Sequence, residues 1–213
     1  MKKNPNIGST VFVIDDDASL RAALKELFES IGLQVELFGS GESFLERKNH
    51  DSTCCLVLDM RLPGMSGLKC QEELAKAKIS IPIIFLTGHG DIPMAVRAMK
   101  SGAVDFLTKP FRNQDLLDAV AAALEQDRAR RAKEDSHSTL REHFKSLSQR
   151  ERDVVIRVAS GGLNKQIAAD LGVSEVTVKV HRANAMRKLR VKSVAELVRI
   201  IDLMGIEAPA KVN

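Results

Sequence analysis

Short apolar runs and longer periodic segments alternate along the first 124 residues. The runs are Thr10–Ile14, Val35–Phe38, Cys54–Leu58, Ile81–Leu86 and Val104–Leu107. Between them apolar residues recur at helical spacing over Ala18–Ile31, Glu42–Lys48, Leu68–Ala77 and Pro93–Lys100, and a further such segment opens near Asn113. This alternation predicts an α/β unit: a five-stranded, doubly wound parallel sheet whose faces are both covered by helices. The punctuation agrees with it. Gly32 follows the first helix, Pro63-Gly64 breaks the chain after the third strand, and Asp91 with Pro93 opens the fourth helix.

From Asn113 the helical period continues without Pro or Gly. Its first part is amphipathic through Leu116, Leu117, Val120, Ala123 and Leu124, and beyond Glu125 it is almost wholly polar. Asp127 lies four residues before Arg131, a spacing that supports a helix. Apolar heptad positions are missing, so residues 125–144 read as a solvated helical linker rather than a coiled coil. A small all-α unit follows over residues 145–208. Ser148 with Glu151, and Ser193 with Glu196, have capping-box spacing. Between these boxes lie two helices, Lys165–Leu171 and Glu175–Leu189, joined by Gly172-Val173-Ser174, the pattern of a helix-turn-helix. A last helix is expected over Val194–Met204, and Val198, Ile201 and Leu203 are candidates for a dimer surface.

Composition refines this division. Hydrophobic residues make up 44% of the 213-residue chain, enough for packed cores. No apolar run approaches the ~20 residues that span a bilayer, and the polar N-terminus does not resemble a signal peptide. Cys54, Cys55 and Cys70 have no Cys-x-x-Cys spacing and read as reduced thiols of a cytoplasmic protein. The net charge of +4 is unevenly spread. Residues 1–124 carry 14 Lys/Arg against 16 Asp/Glu, residues 125–144 carry 5 of each, and residues 145–213 carry 13 against 7. A basic second unit points to a polyanionic partner.

The strand ends hold the chemistry. In a parallel sheet, ligands gather at the carboxyl ends of the strands. There the sequence places Asp15 and Asp16, then Asp59, then Thr87, and after the last strand Lys109. An acidic cluster can hold Mg²⁺ through oxygen ligands, which accounts for adjacent carboxylates at the mouth of an apolar strand. Asp59 is then a candidate nucleophile for an aspartyl phosphate, with the cation and Lys109 supplying positive charge and Thr87 a hydrogen bond. Asp17 is expected to cap the first helix. His89 lies near the site and reads as an exposed loop residue; Cys54 and Cys55 read as strand residues, and Met94 and Met99 as packing of the fourth helix. In the second unit, the core face of the longer helix runs through Val178, His181, Ala185 and Leu189. No acid occurs between Val176 and Ala195. Lys179, Val180, Arg182 and Ala183 are the candidate groove-facing residues, with Lys165, Arg187, Lys188 and Lys192 nearer the DNA backbone.

The stretches "VIDDD", "LVLDMRLPGMSG", "FLTGHGD" and "GAVDFLTKPF" resemble the receiver domain of two-component response regulators, over residues 9–124. The stretch "LSQRERDVVIRVASGGLNKQIAADLGVSEVTVKVHRANAMRKL" resembles the LuxR-type helix-turn-helix. Together they resemble regulators of the FixJ/NarL type. The resemblance implies a flavodoxin-like receiver in which Asp59 accepts phosphate. It assigns Asp15, Asp16, Asp59 and the Arg61 backbone carbonyl to Mg²⁺, for which Mn²⁺ or Ca²⁺ can substitute. It makes Thr87 and Lys109 the pair that reads the phosphoryl group and gives Lys109-Pro110 a cis peptide. Phe106 takes the aromatic switch position, where many receivers have Tyr. The implied partners are a cognate histidine kinase, promoter DNA, RNA polymerase and a second copy of the chain, with transcriptional activation as the outcome. Two other readings fit less well. A haloacid-dehalogenase-type phosphatase uses a second Asp two residues after its nucleophile, where this chain has Arg61. A DNA-binding protein whose first unit serves only to dimerise would not need the five site residues.

Overall fold

In the computed structural model, residues 8–47, 51–88 and 92–206 are described. His89, Asp91, the end of the second expected helix at Lys48 and the chain beyond 206 lie outside them. Five strands form the sheet: β1 (Thr10–Ile14), β2 (Gln34–Phe38), β3 (Cys54–Asp59), β4 (Ile83–Thr87) and β5 (Asp105–Thr108). Their order is β2-β1-β3-β4-β5 and every pairing is parallel. The fourth strand starts two residues later than expected, at Ile83 rather than Ile81, and the fifth starts at Asp105 rather than Val104. Pro82 cannot donate a ladder hydrogen bond, and its carbonyl instead accepts from the Leu56 N–H at 2.9 Å.

Five helices cover this sheet: α1 (Ala18–Ser30), α2 (Gly41–Leu45), α3 (Gly67–Lys76), α4 (Ile92–Lys100) and α5 (Asn113–Lys145). One face of the sheet packs Val11, Val13, Cys55, Val57, Ile84 and Leu86 against Leu24 and Phe28 of α1 and against Leu116 to Leu124 of α5. The other packs Phe12, Ile14, Leu56, Leu58 and Phe85 against Phe44 of α2, Cys70 and Leu74 of α3, and Ala98 of α4. Strands buried on both faces explain why they read as near-continuous apolar runs. Met94 packs as expected, whereas Met99 is 41% exposed. The short side chains of Ala95 and Ala98 set the face on which α4 lies, and Met99 is rotated away from it. All three cysteines are free and buried, and burial pushes the Cys70 thiol up to about 11.

Two compact units divide the chain, Met1–Arg131 and Ala132–Asn213. The expectation of a solvated helix over residues 125–144 fails near both ends: Leu140 and Phe144 pack against the core of the second unit, and Asp127 is held in the first. Asp127 is completely buried, because its carboxylate accepts hydrogen bonds from Arg130, Arg131 and the backbone N–H of Cys54.

The second unit contains α6 (Gln149–Ala159), α7 (Asn164–Leu171), α8 (Glu175–Lys188) and α9 (Val194–Leu203). Their core holds Val154, Val155, Val158, Ile167, Val178, Ala185, Leu189, Leu197, Ile200 and Ile201. His181 is only half-buried, while Val178, Ala185 and Leu189 are fully inside. Ile201 belongs to this core and is not available for a dimer surface; Leu203, 57% exposed, remains so. The box at Ser148 and Glu151 forms reciprocally. At Ser193 only the serine caps, since the Glu196 carboxylate accepts from the N–H of Lys192 instead of Ser193.

Candidate functional site

β1 and β3 are neighbours, with Ile14 beside Leu58, so the next residues on each strand, Asp15 and Asp59, emerge side by side. Lys109 follows β5 and reaches across to both. Its Nζ lies 2.7 Å from Asp15 Oδ2 and 2.8 Å from Asp59 Oδ2. The backbone fixes the remaining carboxylate oxygens. Asp15 Oδ1 accepts from the N–H of Asp17 at 2.9 Å, and Asp59 Oδ1 accepts from the N–H of Arg61 at 3.1 Å. Asp17 Oδ1 accepts from the N–H groups of Ser19 and Leu20 and so caps α1. The fifth strand is held to the fourth here by the Lys109 N–H, which donates to the Thr87 carbonyl at 2.6 Å. Lys109-Pro110 is cis.

Asp15, Asp16 and Asp59 bring one oxygen each within 4.8 Å of one another. Asp15 and Asp59 are buried and Asp16 is exposed, so the cluster opens to solvent on one side. A hard divalent cation prefers such an all-oxygen donor set and keeps waters on its open side; the residues fit Mg²⁺. Burial pushes the Asp15 carboxyl above the usual carboxylate range, against the hydrogen bonds from Lys109 and Asp17 that lower it. Burial pulls the Lys109 ammonium down, but its bonds to the two carboxylates outweigh that and leave it above its ordinary value. The ionised Asp15 is therefore a cost to folding near neutral pH. Because its folded value lies above the unfolded one, that cost appears as pH rises through the acidic range and is relieved as pH falls.

Asp15→Asn is thus expected to raise the thermal midpoint of the metal-free protein near neutral pH, each kcal/mol gained being worth about 2–4 °C. Millimolar Mg²⁺ should raise the wild-type midpoint with increasing concentration and have little effect on the variant. Circular dichroism in a Mg²⁺ titration checks both, and a variant less stable than metal-free wild type would contradict the argument.

Thr87, 3% exposed, ends β4 beside this cluster, whereas the ring of Phe106 on β5 is 38% exposed and turned outward. Two residues not expected from the sequence also shape the site. Arg21, one turn into α1 and on the same face as Asp17, donates from Nη1 to the Asp15 carbonyl at 2.6 Å. Gly67 opens α3 where its backbone passes the Asp59 carbonyl; a Cβ there would lie 2.4 Å from that oxygen. Neither has a signal in the sequence: the Arg21 bond goes to a backbone carbonyl six residues back, and the Gly67 approach depends on how α3 meets the end of β3.

In the second unit, Gly172 takes a left-handed conformation (φ 65°) that ends α7 and turns the chain toward α8. Ser174 caps α8 by accepting from the Thr177 N–H at 3.1 Å. Lys165, Lys179, Val180, Ala183, Arg187 and Lys192 are exposed, and Arg182 is half-buried. Val176, 69% exposed at the start of α8, extends this surface. Lys188 is engaged within the unit. Its Nζ lies 2.6 Å from Glu151 Oε2 and 3.4 Å from the Ser146 carbonyl, tying the end of α8 to the start of α6.

Residues 11–121 match the family described as the response regulator receiver domain, and residues 145–201 match bacterial regulatory proteins of the luxR family. The chain is 56% identical to nodulation protein W of Bradyrhizobium diazoefficiens over 198 residues, covering 93% of this chain and 87% of that protein. It is 43% identical to the transcriptional regulatory protein FixJ of Rhizobium meliloti over 191 residues, covering 90% and 94%. Among solved structures, the response regulator StyR shares 50% identity at a TM-score of 0.83, covering 92% of this chain and 98% of that one. Full-length FixJ from B. japonicum shares 39% at a TM-score of 0.56, covering 94% and 98%. No described helix is long and apolar enough to cross a membrane. With carboxylates and an ammonium at the ends of a parallel sheet and a helix-turn-helix in the second unit, the chain belongs to the two-component response regulators, transcriptional regulators that join a receiver to a LuxR-type DNA-binding domain and are not turnover enzymes.

Proposed function

We propose that Asp59 takes a phosphoryl group from a phosphohistidine of a cognate kinase, and that the change at this carboxylate controls dimerisation and sequence-specific promoter binding. The observation that carries this reading is the convergence of Asp15, Asp16, Asp59 and Lys109, with Thr87 beside them, from four strands. A carboxylate oxygen of Asp59 attacks phosphorus in line. The new O–P bond forms as the donor N–P bond breaks, and the electron pair returns to the imidazole, which takes up a proton. Asp15, Asp16, Asp59 and the Arg61 carbonyl would hold Mg²⁺, or Mn²⁺ or Ca²⁺ in its place. Bound there, it supplies positive charge to the oxygens of the transferring group. Lys109, already bonded to Asp59, moves to a phosphoryl oxygen, and the Thr87 hydroxyl donates to another.

That inward pull on Thr87 leaves room for the Phe106 ring to turn in from its exposed position, changing the surface of the first unit and favouring a dimer. Two copies then present two α8 helices to two half-sites, which raises affinity through bivalency. Lys179, Val180, Arg182 and Ala183 read base edges, while Lys165, Arg187 and Lys192 neutralise phosphates. Lys188 joins them only by leaving Glu151. Recruitment of RNA polymerase in the cytoplasm, and hence activation, completes the reading.

The test uses beryllofluoride, which mimics the aspartyl phosphate, with Mg²⁺ on the full chain. Light scattering should show a shift from monomer toward dimer. A duplex selected by the loaded protein from a random-sequence pool should bind at least about tenfold more tightly than to the unloaded protein. Unchanged mass and unchanged affinity would overturn the proposal.

A further inference from the structure

Among the described residues, a second buried polar cluster sits at the end of β3 opposite Asp59. Asp127 of α5 is fully buried. Its Oδ2 accepts from the backbone N–H of Cys54, the first residue of β3, at 2.9 Å and from Arg131 Nε at 2.7 Å. Its Oδ1 accepts from Arg130 Nη2 at 2.5 Å. Arg131 continues outward, donating from Nη1 to the Asp51 carbonyl at 3.1 Å, with Nη2 3.8 Å from Cys54 Sγ. Apolar packing of α5 on the sheet ends at Leu124, so these bonds are what carry the helix further along the first unit. The compact unit ends at Arg131, the last member of the cluster.

We infer that Asp127, with Arg131, is a clamp that makes residues 125–131 a fixed part of the receiver, so that the signal from Asp59 leaves the first unit at Arg131 and not at Leu124. This deepens the proposed function and rests on it for its regulatory half. A helix freed at Leu124 would gain about two further turns able to bend or fray, at 3.6 residues per turn. A change at the receiver would then be dissipated before it reached the second unit. Burial pushes the Asp127 carboxyl up, but the Cys54 N–H and the two arginines outweigh it and keep it below the usual carboxylate range. The clamp therefore stays charged and closed at neutral pH.

Hydrogen exchange on the full-length, unphosphorylated chain tests the clamp by itself. In wild type, the amides of Cys54 and of residues 125–131 should be protected to nearly the level of the sheet, and those of the exposed stretch 132–139 should exchange faster. Asp127→Asn should speed exchange at residues 125–131 at least about tenfold while β1 and β4 are unchanged. Arg131→Gln, which leaves Asp127 bonded to Arg130 and Cys54, should give a smaller effect in the same residues and covers the case of a poorly folded first variant. Weak protection of 125–131 in wild type would overturn the clamp whatever the variants do.

Regulation is tested on the selected duplex, with and without beryllofluoride and Mg²⁺. The gain in affinity should shrink at least about fivefold in Asp127→Asn, while labelling of Asp59 by acetyl phosphate stays at the wild-type level. A variant that loosens the helix yet keeps the whole gain overturns the inference. If wild type itself shows no gain, the phosphorylation reading fails, and the exchange result still decides the clamp.

Discussion

Asp59→Ala should abolish phosphoryl incorporation from acetyl phosphate in Mg²⁺. The drop should be at least about 100-fold, to the limit of detection by intact mass, because the variant has lost the nucleophile and no neighbour can replace it. Asp15 also bonds Lys109, but its side chain is completely buried, whereas 9% of the Asp59 side chain is exposed. Asp16 is exposed, yet it is not held by Lys109. The loss should come without unfolding. Removing one of three clustered carboxylates relieves repulsion, and Lys109 keeps its bond to Asp15. A melting temperature equal to or above that of wild type, together with absent labelling, is the expected pair of results. Labelling at the wild-type rate would move the acceptor elsewhere.

Gly67→Ala should be the most damaging single methyl group in the first unit. Its Cβ would lie 2.4 Å from the Asp59 carbonyl oxygen, 3.1 Å from Met60 Cα and 3.1 Å from Phe85 Cε1. Two of those neighbours are backbone and the third is a fully buried ring, so none can swing aside. The start of α3, or the end of β3 that carries Asp59, must shift. A cost of roughly 2–4 kcal/mol follows, a fall in thermal midpoint of roughly 5–15 °C. The label on Asp59 should also accumulate more slowly, since sub-ångström displacement of a nucleophile matters for in-line attack. Gly41→Ala provides the control. Its Cβ would meet Met65 Sδ at 3.2 Å, the mobile end of an adaptable side chain, and Cys70 at 3.4 Å. It should cost less than half as much, and equal losses in thermal denaturation would refute the reasoning.

The cluster at the strand ends was legible in the sequence because a parallel sheet brings those ends together, and Asp15, Asp59, Thr87 and Lys109 each stand at such an end. The helix-turn-helix was legible for a similar reason, since Ser148, Gly172 and Ser174 mark helix boundaries through local hydrogen bonds. Long-range polar contacts away from the strand ends left no trace. Asp127 looks like any carboxylate on a charged helix, because a buried ion cluster gives no hydrophobic period, and its partner Cys54 is 73 residues away. Lys188 reads as one more cation of a basic helix, and Glu151, 37 residues away, gives no sign of holding it. Met99 was misplaced for another reason. Helical periodicity alone does not say which edge of an apolar stripe meets the core when the central residues are alanines.

The bonded ends of the central strand also limit how far it can slide. Leu56 and Leu58 face one apolar layer while Cys55 and Val57 face the other, so displacement by one position would exchange hydrophobic surface for hydrophobic surface. Burial alone thus discriminates poorly between the native frame and its neighbours. The Cys54 amide fastened to Asp127 at one extremity, and the Asp59 carboxylate fastened to Lys109 at the other, supply the penalty that greasy packing lacks. A chain caught one step out of frame would set Leu58 or Met60 where the Asp59 carboxylate belongs, and the acidic cluster would lose one of its three members.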